Sequence, residues 1–172
     1  EVSLDCTDRS TLSTPNSTNA NPYGINSGVT QQLSVGIVGA TGAVGKALLQ
    51  ILDQRNFPIS ELRAFASSKS VGKAIEYQGN RVDIKELCQE DIAGLDVFFF
   101  SAGAERSRDW APIAVKNGSI VIDNSSAFRM DESVPLVIPE INWHAVRPQD
   151  RLFAVPNCTA IVLLMAIAPL RA

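Results

Sequence analysis

The spacing of hydrophobic positions changes along the chain, and the changes predict alternating strands and helices. The apolar run Leu33-Ser-Val-Gly-Ile-Val-Gly39 is typical of a buried strand. Apolar residues then recur at helical spacing from Ala43 to Leu52 and predict a helix with one apolar face. Further strands are predicted at 62–66, 96–100, 119–123 and 152–155, further helices at 104–116 and 158–168, and a hairpin at 74–77 and 81–84. Because strands that alternate with helices pair in parallel, the predicted fold class is α/β, with a doubly wound, mainly parallel, Rossmann-type sheet.

Residues 1–32 have a different composition from the rest of the chain. Of these 32 residues, 20 are Ser, Thr, Asn, Pro, Gly or Gln, and they show no periodic hydrophobic pattern. Such a segment buries too little apolar surface to offset the entropy of ordering it, so a disordered arm is predicted. The arm lacks the apolar core of a signal peptide. The sequence begins with Glu1 rather than Met, so a targeting segment further upstream stays open.

Charge and composition exclude several classes of function. With 15 basic against 18 acidic residues and a net charge of −3, the chain lacks the basic surface of a nucleic-acid-binding protein. No apolar run approaches the ~20 residues of a membrane span. The 3 cysteines form no CxxC pair and the sequence has 1 histidine, so we expect neither a metal site nor a disulfide scaffold. We therefore expect a protein of a reducing compartment, the cytoplasm, without nucleic-acid or membrane partners.

A glycine-rich turn connects the first predicted strand to the first predicted helix. Its sequence, Gly39-Ala-Thr-Gly42-Ala-Val-Gly45, has the spacing G-x-x-G-x-x-G. Glycines permit a tight turn and let the backbone N–H groups of a helix start approach a pyrophosphate. The alternative is a glycine turn that binds no ligand. The predicted dinucleotide contacts are Gly39, Thr41, Gly42, Ala43, Val44 and Gly45.

The loop after the second strand indicates which dinucleotide binds. An NAD site usually has an acidic residue there for the ribose 2′-hydroxyl. The loop Ala66-Ser-Ser-Lys-Ser-Val-Gly72 has no carboxylate, whereas its hydroxyl and ammonium groups suit a 2′-phosphate. Ser67, Lys69 and Ser70 therefore predict NADP as the cofactor, and a solvated polar loop is the alternative.

Small residues follow the third strand, at the edge where open α/β sheets bind ligands. Ser101-Ala-Gly103 occupies this position. Residues of this size would let a cofactor lie close to the strand ends. Ser101 and Gly103 are therefore further candidate cofactor contacts, and a simple tight turn is the alternative.

A cysteine stands between the last strand and an apolar helix, in Val155-Pro-Asn-Cys-Thr159. The positive end of a helix dipole stabilises negative charge, so this position favours the thiolate of Cys158. A partner base or a nearby nicotinamide cation would have to complete its activation. The alternative is an inert cysteine, the interpretation adopted for Cys88, while Cys6 falls in the predicted arm.

Two further side chains carry candidate chemistry. Arg129 ends the segment Asp123-Asn-Ser-Ser-Ala-Phe-Arg129, beyond the fourth strand, and a guanidinium there can hold a phosphate or carboxylate with two hydrogen bonds. A surface salt bridge is the alternative. His144 belongs to a predicted surface turn, and no catalytic role is expected for it.

The motifs, in this order, resemble aspartate-semialdehyde dehydrogenase. The resemblance runs from Leu33 to the end and rests on 39–45, 66–72, 100–103, 121–129, 134–142 and 156–159. It implies an NADP-dependent reaction that joins aspartate semialdehyde and phosphate to give aspartyl phosphate and NADPH, on the route to lysine, methionine and threonine. Carried over by position, Cys158 is the nucleophile that forms a thioester, Asn157 helps to shape the active site, and Arg129 binds phosphate.

The family continues for about as long again, through a second domain. The resemblance assigns to that domain the general-base histidine, the arginine that binds the substrate carboxylate, and most of the dimer interface. We therefore expect an NADP-binding domain at 33–157 and the start of the catalytic and dimerisation domain at 158–172. We also expect exposed apolar residues from Ile161 to Met165, negligible turnover by this chain alone, and a homodimer or homotetramer for the whole enzyme.

The sequence leaves two alternatives to this family open. N-acetyl-glutamyl-phosphate reductase has a similar plan, but its sequence beside the cysteine usually differs from Pro156-Asn-Cys-Thr159. A dinucleotide-binding module without catalysis is the second alternative. A plastid location would apply if the source were a plant or an alga.

Overall fold

The structure, a computed structural model, describes residues 32–171. The predicted disordered arm lies outside the described residues, apart from Gln32. Seven strands are present in this part of the chain: β1 Leu33–Val38, β2 Ile59–Phe65, β3 Ala74–Tyr77, β4 Asn80–Lys85, β5 Val97–Phe100, β6 Ile120–Asp123 and β7 Leu152–Ala154. The α-helices are α1 Ala43–Gln54, α2 Gln89–Ile92, α3 Ala104–Lys116, α4 Pro139–Asn142 and α5 Cys158–Ile167, and 3₁₀ turns are formed by Ser68–Ser70, Trp143–Ala145 and Ala168–Arg171.

The seven strands form one sheet in the order β3-β4-β2-β1-β5-β6-β7. All neighbouring pairs are parallel except β3 and β4, which form an antiparallel hairpin. The chain builds outward from β1 in one direction through β2 and in the other through β5, so the strand order reverses at the boundary between β1 and β5. The doubly wound, mainly parallel sheet is thereby confirmed.

The sheet buries apolar residues on both faces, as parallel sheets do. On one face, Val35 and Ile37 of β1 pack with Leu49 and Leu52 of α1. On the other face, the aromatic rings of β2 and β5 pack with small residues of α3; this cluster includes Phe65, Phe98, Phe100, Ala111 and Ala114. The alternation along β1 and β5 explains why both strands read as continuous apolar runs. In the described part of the chain, no helix has the length and hydrophobicity needed to cross a bilayer.

Some element boundaries differ from the predicted ones. Strand β2 begins at Ile59 rather than residue 62, because β1 continues to pair with it to Leu33. Asn80 belongs to β4, so the hairpin turn is the pair Gln78-Gly79, and both residues have positive φ, +49° and +74°. That combination matches the right-handed twist of the flanking strands. The helices α2 and α4 have four residues each and are too short to show a periodic pattern.

Asp96 is hydrogen-bonded to Ser34 of β1 at the amino edge of the sheet, where the parallel strands begin. The Asp96 carboxylate accepts hydrogen bonds from the Ser34 backbone N–H at 2.8 Å and from its hydroxyl at 2.7 Å. These bonds, the backbone one first, lower the pKa of Asp96 below its ordinary value. A group whose pKa is lower in the folded than in the unfolded chain contributes stability above its unfolded pKa, and this contribution is lost as pH falls through the folded pKa.

We predict that Asp96→Asn lowers the free energy of unfolding by about 0.5–1.5 kcal/mol at neutral pH. The difference from the wild type should shrink as pH falls from about 4 through the lowered folded pKa, because the carboxylate is protonated first in the unfolded chain and then in the folded one. Urea unfolding at several pH values measures both quantities. Asp109→Asn, on the exposed surface of α3, is the control, and identical pH profiles for the two variants would refute the prediction.

Candidate functional site

The candidate site residues follow strands that end at one edge of the sheet. Strands β1, β5, β6 and β7 are neighbours and parallel, so the loops after them lie side by side. The carboxyl ends of β1 and β7 are separated by three inter-strand spacings, a distance of about 14 Å. The glycine turn, Ser101–Gly103, Asn124–Arg129 and Asn157–Cys158 therefore line a single carboxyl edge, as the sequence predicts.

The glycine turn is packed so tightly that two of its positions have no room for a side chain. Gly39 has φ +92°, and a Cβ there would meet the carbonyl group of Ser101 in the turn after β5. A Cβ at Gly45 would meet the Gly39 carbonyl oxygen and lie 2.8 Å from the Cα atom of Ala40. The turns after β1 and β5 thus touch through backbone atoms, and α1 begins directly against them.

The start of α1 is open to a ligand. Its first turn contains no acidic side chain, and its N-cap residue, Gly42, makes no side-chain cap hydrogen bond. Ala43 and Val44 are exposed there. The first N–H groups of a helix have no partner within it, and an anion can satisfy them. The residues present therefore fit the pyrophosphate of a dinucleotide.

The loop after β2 lies next to the glycine turn, because β2 pairs with β1. Ser68–Ser70 forms a 3₁₀ turn, which the sequence did not predict. Ser67 and Lys69 are exposed and Ser70 is half-buried, so a cation and hydroxyl groups are accessible at this edge. Thr41 of the glycine turn and Ser101, which follows β5, are half-buried, and Gly103, exposed with φ +91°, precedes α3.

Arg129 joins the loops that follow β6 and β7. Its Nε atom donates to the Val155 carbonyl oxygen at 2.9 Å, and its Nη2 atom donates to the Asn124 carbonyl oxygen at 3.2 Å. The ion pairs among the described residues do not include Arg129, so a surface salt bridge is the wrong interpretation of this residue. The half-buried guanidinium keeps further N–H groups for an anion.

Cys158 is exposed at the first position of α5. The Asn157 side chain caps this helix by accepting a hydrogen bond from the Thr159 N–H at 2.9 Å. The Cys158 Sγ atom lies 3.9 Å from the same Asn157 oxygen. Asn157 therefore has a definite local role, since it fixes the helix start that carries the thiol.

The other described cysteine and the histidine are placed differently. Cys88 is half-buried, and its Sγ atom donates to the Asp91 carboxylate at 2.9 Å. This hydrogen bond raises the pKa of Cys88, so its thiolate is disfavoured. His144 is exposed in the 3₁₀ turn Trp143–Ala145, as predicted. Cys6 lies outside the described residues, and within them no cluster of His, Cys, Asp or Glu could hold a metal ion.

Sequence reasoning gave no role to Asp123, the last residue of β6. Its side chain is fully buried and accepts hydrogen bonds from the hydroxyl groups of Ser107 and Ser125. The signal in the sequence was an acidic residue at the end of an otherwise apolar strand. Its serine partner in α3 could not be identified without the fold.

Comparisons with known proteins agree with this arrangement. The family model for the NAD-binding domain of semialdehyde dehydrogenase matches residues 34–149. The chain is 43% identical over 144 residues to aspartate-semialdehyde dehydrogenase of Shewanella violacea, covering 83% of this chain and 43% of the relative. The Synechocystis enzyme of the same name is 46% identical over 138 residues, covering 80% and 41%.

A solved structure is similar over the same part of the chain. The crystal structure of aspartate semialdehyde dehydrogenase II from Vibrio cholerae superposes with a TM-score of 0.78 at 43% identity. The match covers 81% of this chain and 42% of that one. The chain thus spans about two fifths of the length of the relatives that it matches.

Proposed function

The chain belongs to the semialdehyde dehydrogenase family and carries its NAD-binding domain, and on that premise we propose an activity. The protein would oxidise aspartate 4-semialdehyde, with NADP and inorganic phosphate, to 4-phosphoaspartate and NADPH. The observation that carries the proposal is the exposed thiol of Cys158 at a helix start on the same sheet edge as the glycine turn. The relatives named for this activity support it.

The chemistry assigned to this chain centres on Cys158. Its thiolate adds to the aldehyde carbon and forms a thiohemiacetal, which loses a hydride and its hydroxyl proton to become a thioester. The dinucleotide, when bound at the glycine turn, supplies the hydride acceptor. Phosphate held by the free N–H groups of Arg129 then attacks the thioester carbonyl, so that 4-phosphoaspartate leaves and the thiolate is restored.

Proton transfer needs a base, and we assign that role to none of the described residues; His144 is exposed in the 3₁₀ turn Trp143–Ala145. General acid–base catalysis is worth about 10²–10⁴-fold. In the family, a second domain provides this group. We therefore expect that residues 1–172 by themselves bind the cofactor and turn over negligibly.

Helix α5 supports the proposed domain division. It contains no charged residue, and none of its side chains is buried. Val162, Leu163, Leu164 and Met165 are exposed, whereas Ile161 is half-buried. A groove of about 630 Å³ separates it from α4. We infer that 158–172 begins the catalytic and dimerisation domain, whose remaining residues would cover this apolar surface in a homodimer or homotetramer.

The experiment that tests the function is an assay on the product of the complete gene. Aspartate 4-semialdehyde, phosphate and NADP should give NADPH, and omission of phosphate should stop it. N-acetylglutamate 5-semialdehyde is the comparison substrate and should be inert. A preference for that substrate would assign the protein to the related reductase, and no reaction with either would leave a binding module without catalysis.

We propose NADP rather than NAD as the cofactor, because Ala66–Gly72 offers Lys69 and serine hydroxyls but no carboxylate. Lys69→Ala should weaken NADP binding about 10- to 100-fold, the equivalent of one hydrogen bond to a charged group, and leave NAD binding unchanged. Titration calorimetry measures both affinities. Lys116→Ala, which removes another exposed ammonium group at the far end of α3, is the control. Equal affinity of the wild type for the two dinucleotides would refute the assignment.

A further inference from the structure

Asp123 is buried without a cationic partner. Its exposure is 0%, and none of the ion pairs among the described residues involves it. Its Oδ1 atom accepts from the Ser107 hydroxyl at 2.7 Å and from the Ser125 N–H at 3.1 Å, and its Oδ2 atom accepts from the Ser125 hydroxyl at 2.8 Å. A carboxyl group held only by neutral donors is costly to bury, so its hydrogen bonds define where it and its partners sit.

These bonds fix the start of the loop that carries Arg129. The Ser125 hydroxyl donates to Asp123 and accepts from the Ala127 N–H at 3.0 Å, which turns the chain directly after β6. The turn sends Arg129 back toward the end of β6, where its guanidinium reaches the Asn124 carbonyl oxygen. The shape of the loop thus depends on the Asp123 side chain.

The same loop holds the segment that leads into Cys158. Arg129 donates to the Val155 carbonyl oxygen at 2.9 Å, and the Val155 N–H donates to the Asp123 carbonyl oxygen at 2.9 Å. Both polar backbone groups of Val155 are therefore held by this loop and by β6. Three residues later the chain reaches Cys158, with the cap of Asn157 between them.

We propose that Asp123 is a positioning residue for Cys158: its buried carboxyl group shapes the loop 124–129, and through Arg129 and Val155 that loop sets where α5 begins. The predicted loss of kcat rests on the proposed function, in which Cys158 is the nucleophile. The predicted placement of the Cys158 thiol does not depend on that function. A displacement on the order of 1 Å of a reacting group lowers a rate about 10²-fold, so small shifts of this loop matter.

A matched serine separates positioning from simple core stability. Ser119 is as fully buried as Ser107, and its hydroxyl likewise donates one short bond, to the Leu95 carbonyl oxygen at 2.6 Å. It lies before β6 at the amino edge of the sheet, opposite to Cys158. Ser119→Ala and Ser107→Ala therefore both remove a fully buried hydroxyl group, and only the second removes a partner of Asp123. The Ser107 hydroxyl also lies 3.2 Å from the carbonyl oxygen of Gly103.

The test uses two readouts on Asp123→Asn, Ser107→Ala, Ser125→Ala and Ser119→Ala. The first is the rate at which iodoacetamide alkylates Cys158 relative to Cys88, followed by peptide mapping. Cys88 serves as the reference within each sample because it hydrogen-bonds to Asp91 and follows β4, which three strands of the sheet separate from β6. The second is kcat for NADPH formation by the product of the complete gene.

We expect Asp123→Asn to lower kcat about 10- to 100-fold, as loss of a group that orients a reacting residue does. Asp123→Asn should also change the ratio of the Cys158 alkylation rate to the Cys88 alkylation rate. Ser125→Ala should change this ratio in the same direction. Ser125→Thr, which keeps the hydroxyl group, should restore both readouts. If Asp123→Asn does not fold, Ser107→Ala and Ser125→Ala, which each remove one partner of Asp123, are compared with Ser119→Ala instead.

Equal effects of Ser107→Ala, Ser125→Ala and Ser119→Ala on the alkylation ratio would overturn the positioning role. So would a failure of Ser125→Thr to restore what Ser125→Ala loses. A different outcome identifies a failure of the proposed function: no NADPH forms with the wild type, while the alkylation ratio still separates Ser125→Ala from Ser119→Ala.

Discussion

Replacing Cys158 with alanine should abolish phosphate-dependent NADPH formation by the product of the complete gene, with a loss of about 10³-fold or more in kcat. In the proposed mechanism the thiol forms the covalent intermediate, and we do not expect the other described cysteine, Cys88, to replace it. Cys88 is half-buried and bonded to Asp91, and its raised pKa disfavours the thiolate. Removal of a nucleophile leaves only the catalysis that binding and orientation provide.

The matched control is Cys88→Ala. It removes a thiol of the same size that donates a hydrogen bond at the start of α2, so it should cost some stability and leave kcat within about twofold, as a substitution away from the site does. NADP affinity should be the same in both variants, since neither residue belongs to the glycine turn. Unchanged turnover in Cys158→Ala would remove the nucleophile assignment and with it the thioester mechanism.

The elements that position the site were predictable because each has a strong local signal. The run at Leu33–Val38 has four apolar residues among its six, the glycines after it require a tight turn, and α1 follows with a clear helical period. The same reasoning placed Cys158 at a helix start after a strand. Parallel strands then bring their carboxyl ends to one edge by geometry alone, so the sequence could place these loops together.

Interactions between loops could not be predicted, because they depend on which residues the fold brings within bonding distance. A surface ion pair was one interpretation of Arg129, whereas its guanidinium donates hydrogen bonds to the Val155 carbonyl group in the loop after β7 and to the Asn124 carbonyl group at the start of its own loop. The pairing of Asp123 with Ser107 crosses from a strand to a helix. Neither contact leaves a periodic pattern in the sequence.

The connection between β2 and β4 shows a second feature of the fold that could not be predicted from the sequence. The hairpin strands 74–77 and 81–84 were predicted from their alternating pattern and turn residues, but the pattern does not say where β4 pairs. In the structure β4 adds in parallel to β2, and β3 extends the sheet beyond it. A hairpin thus stands where a crossover helix would connect two parallel strands in a regular alternation.

Gly39→Ala should destabilise the described domain by about 2–5 kcal/mol, from two separate causes. The residue has φ +92°, a conformation that costs an L-amino acid about 1–2 kcal/mol. In addition, the new methyl group would meet the Ser101 carbonyl group, which is backbone and cannot rotate away. The turns after β1 and β5 would have to separate, so NADP binding should be lost together with stability.

Gly118→Ala isolates the first of these causes. Gly118 has nearly the same φ, +93°, but no atom lies within 4 Å of the position of its Cβ. This variant should lose only the conformational part, about 1–2 kcal/mol, and should bind NADP normally. Urea unfolding followed by circular dichroism measures the two losses. Equal destabilisation would show that the turns after β1 and β5 are not in close backbone contact, and the cofactor site would then lack the packing on which the glycine turn depends.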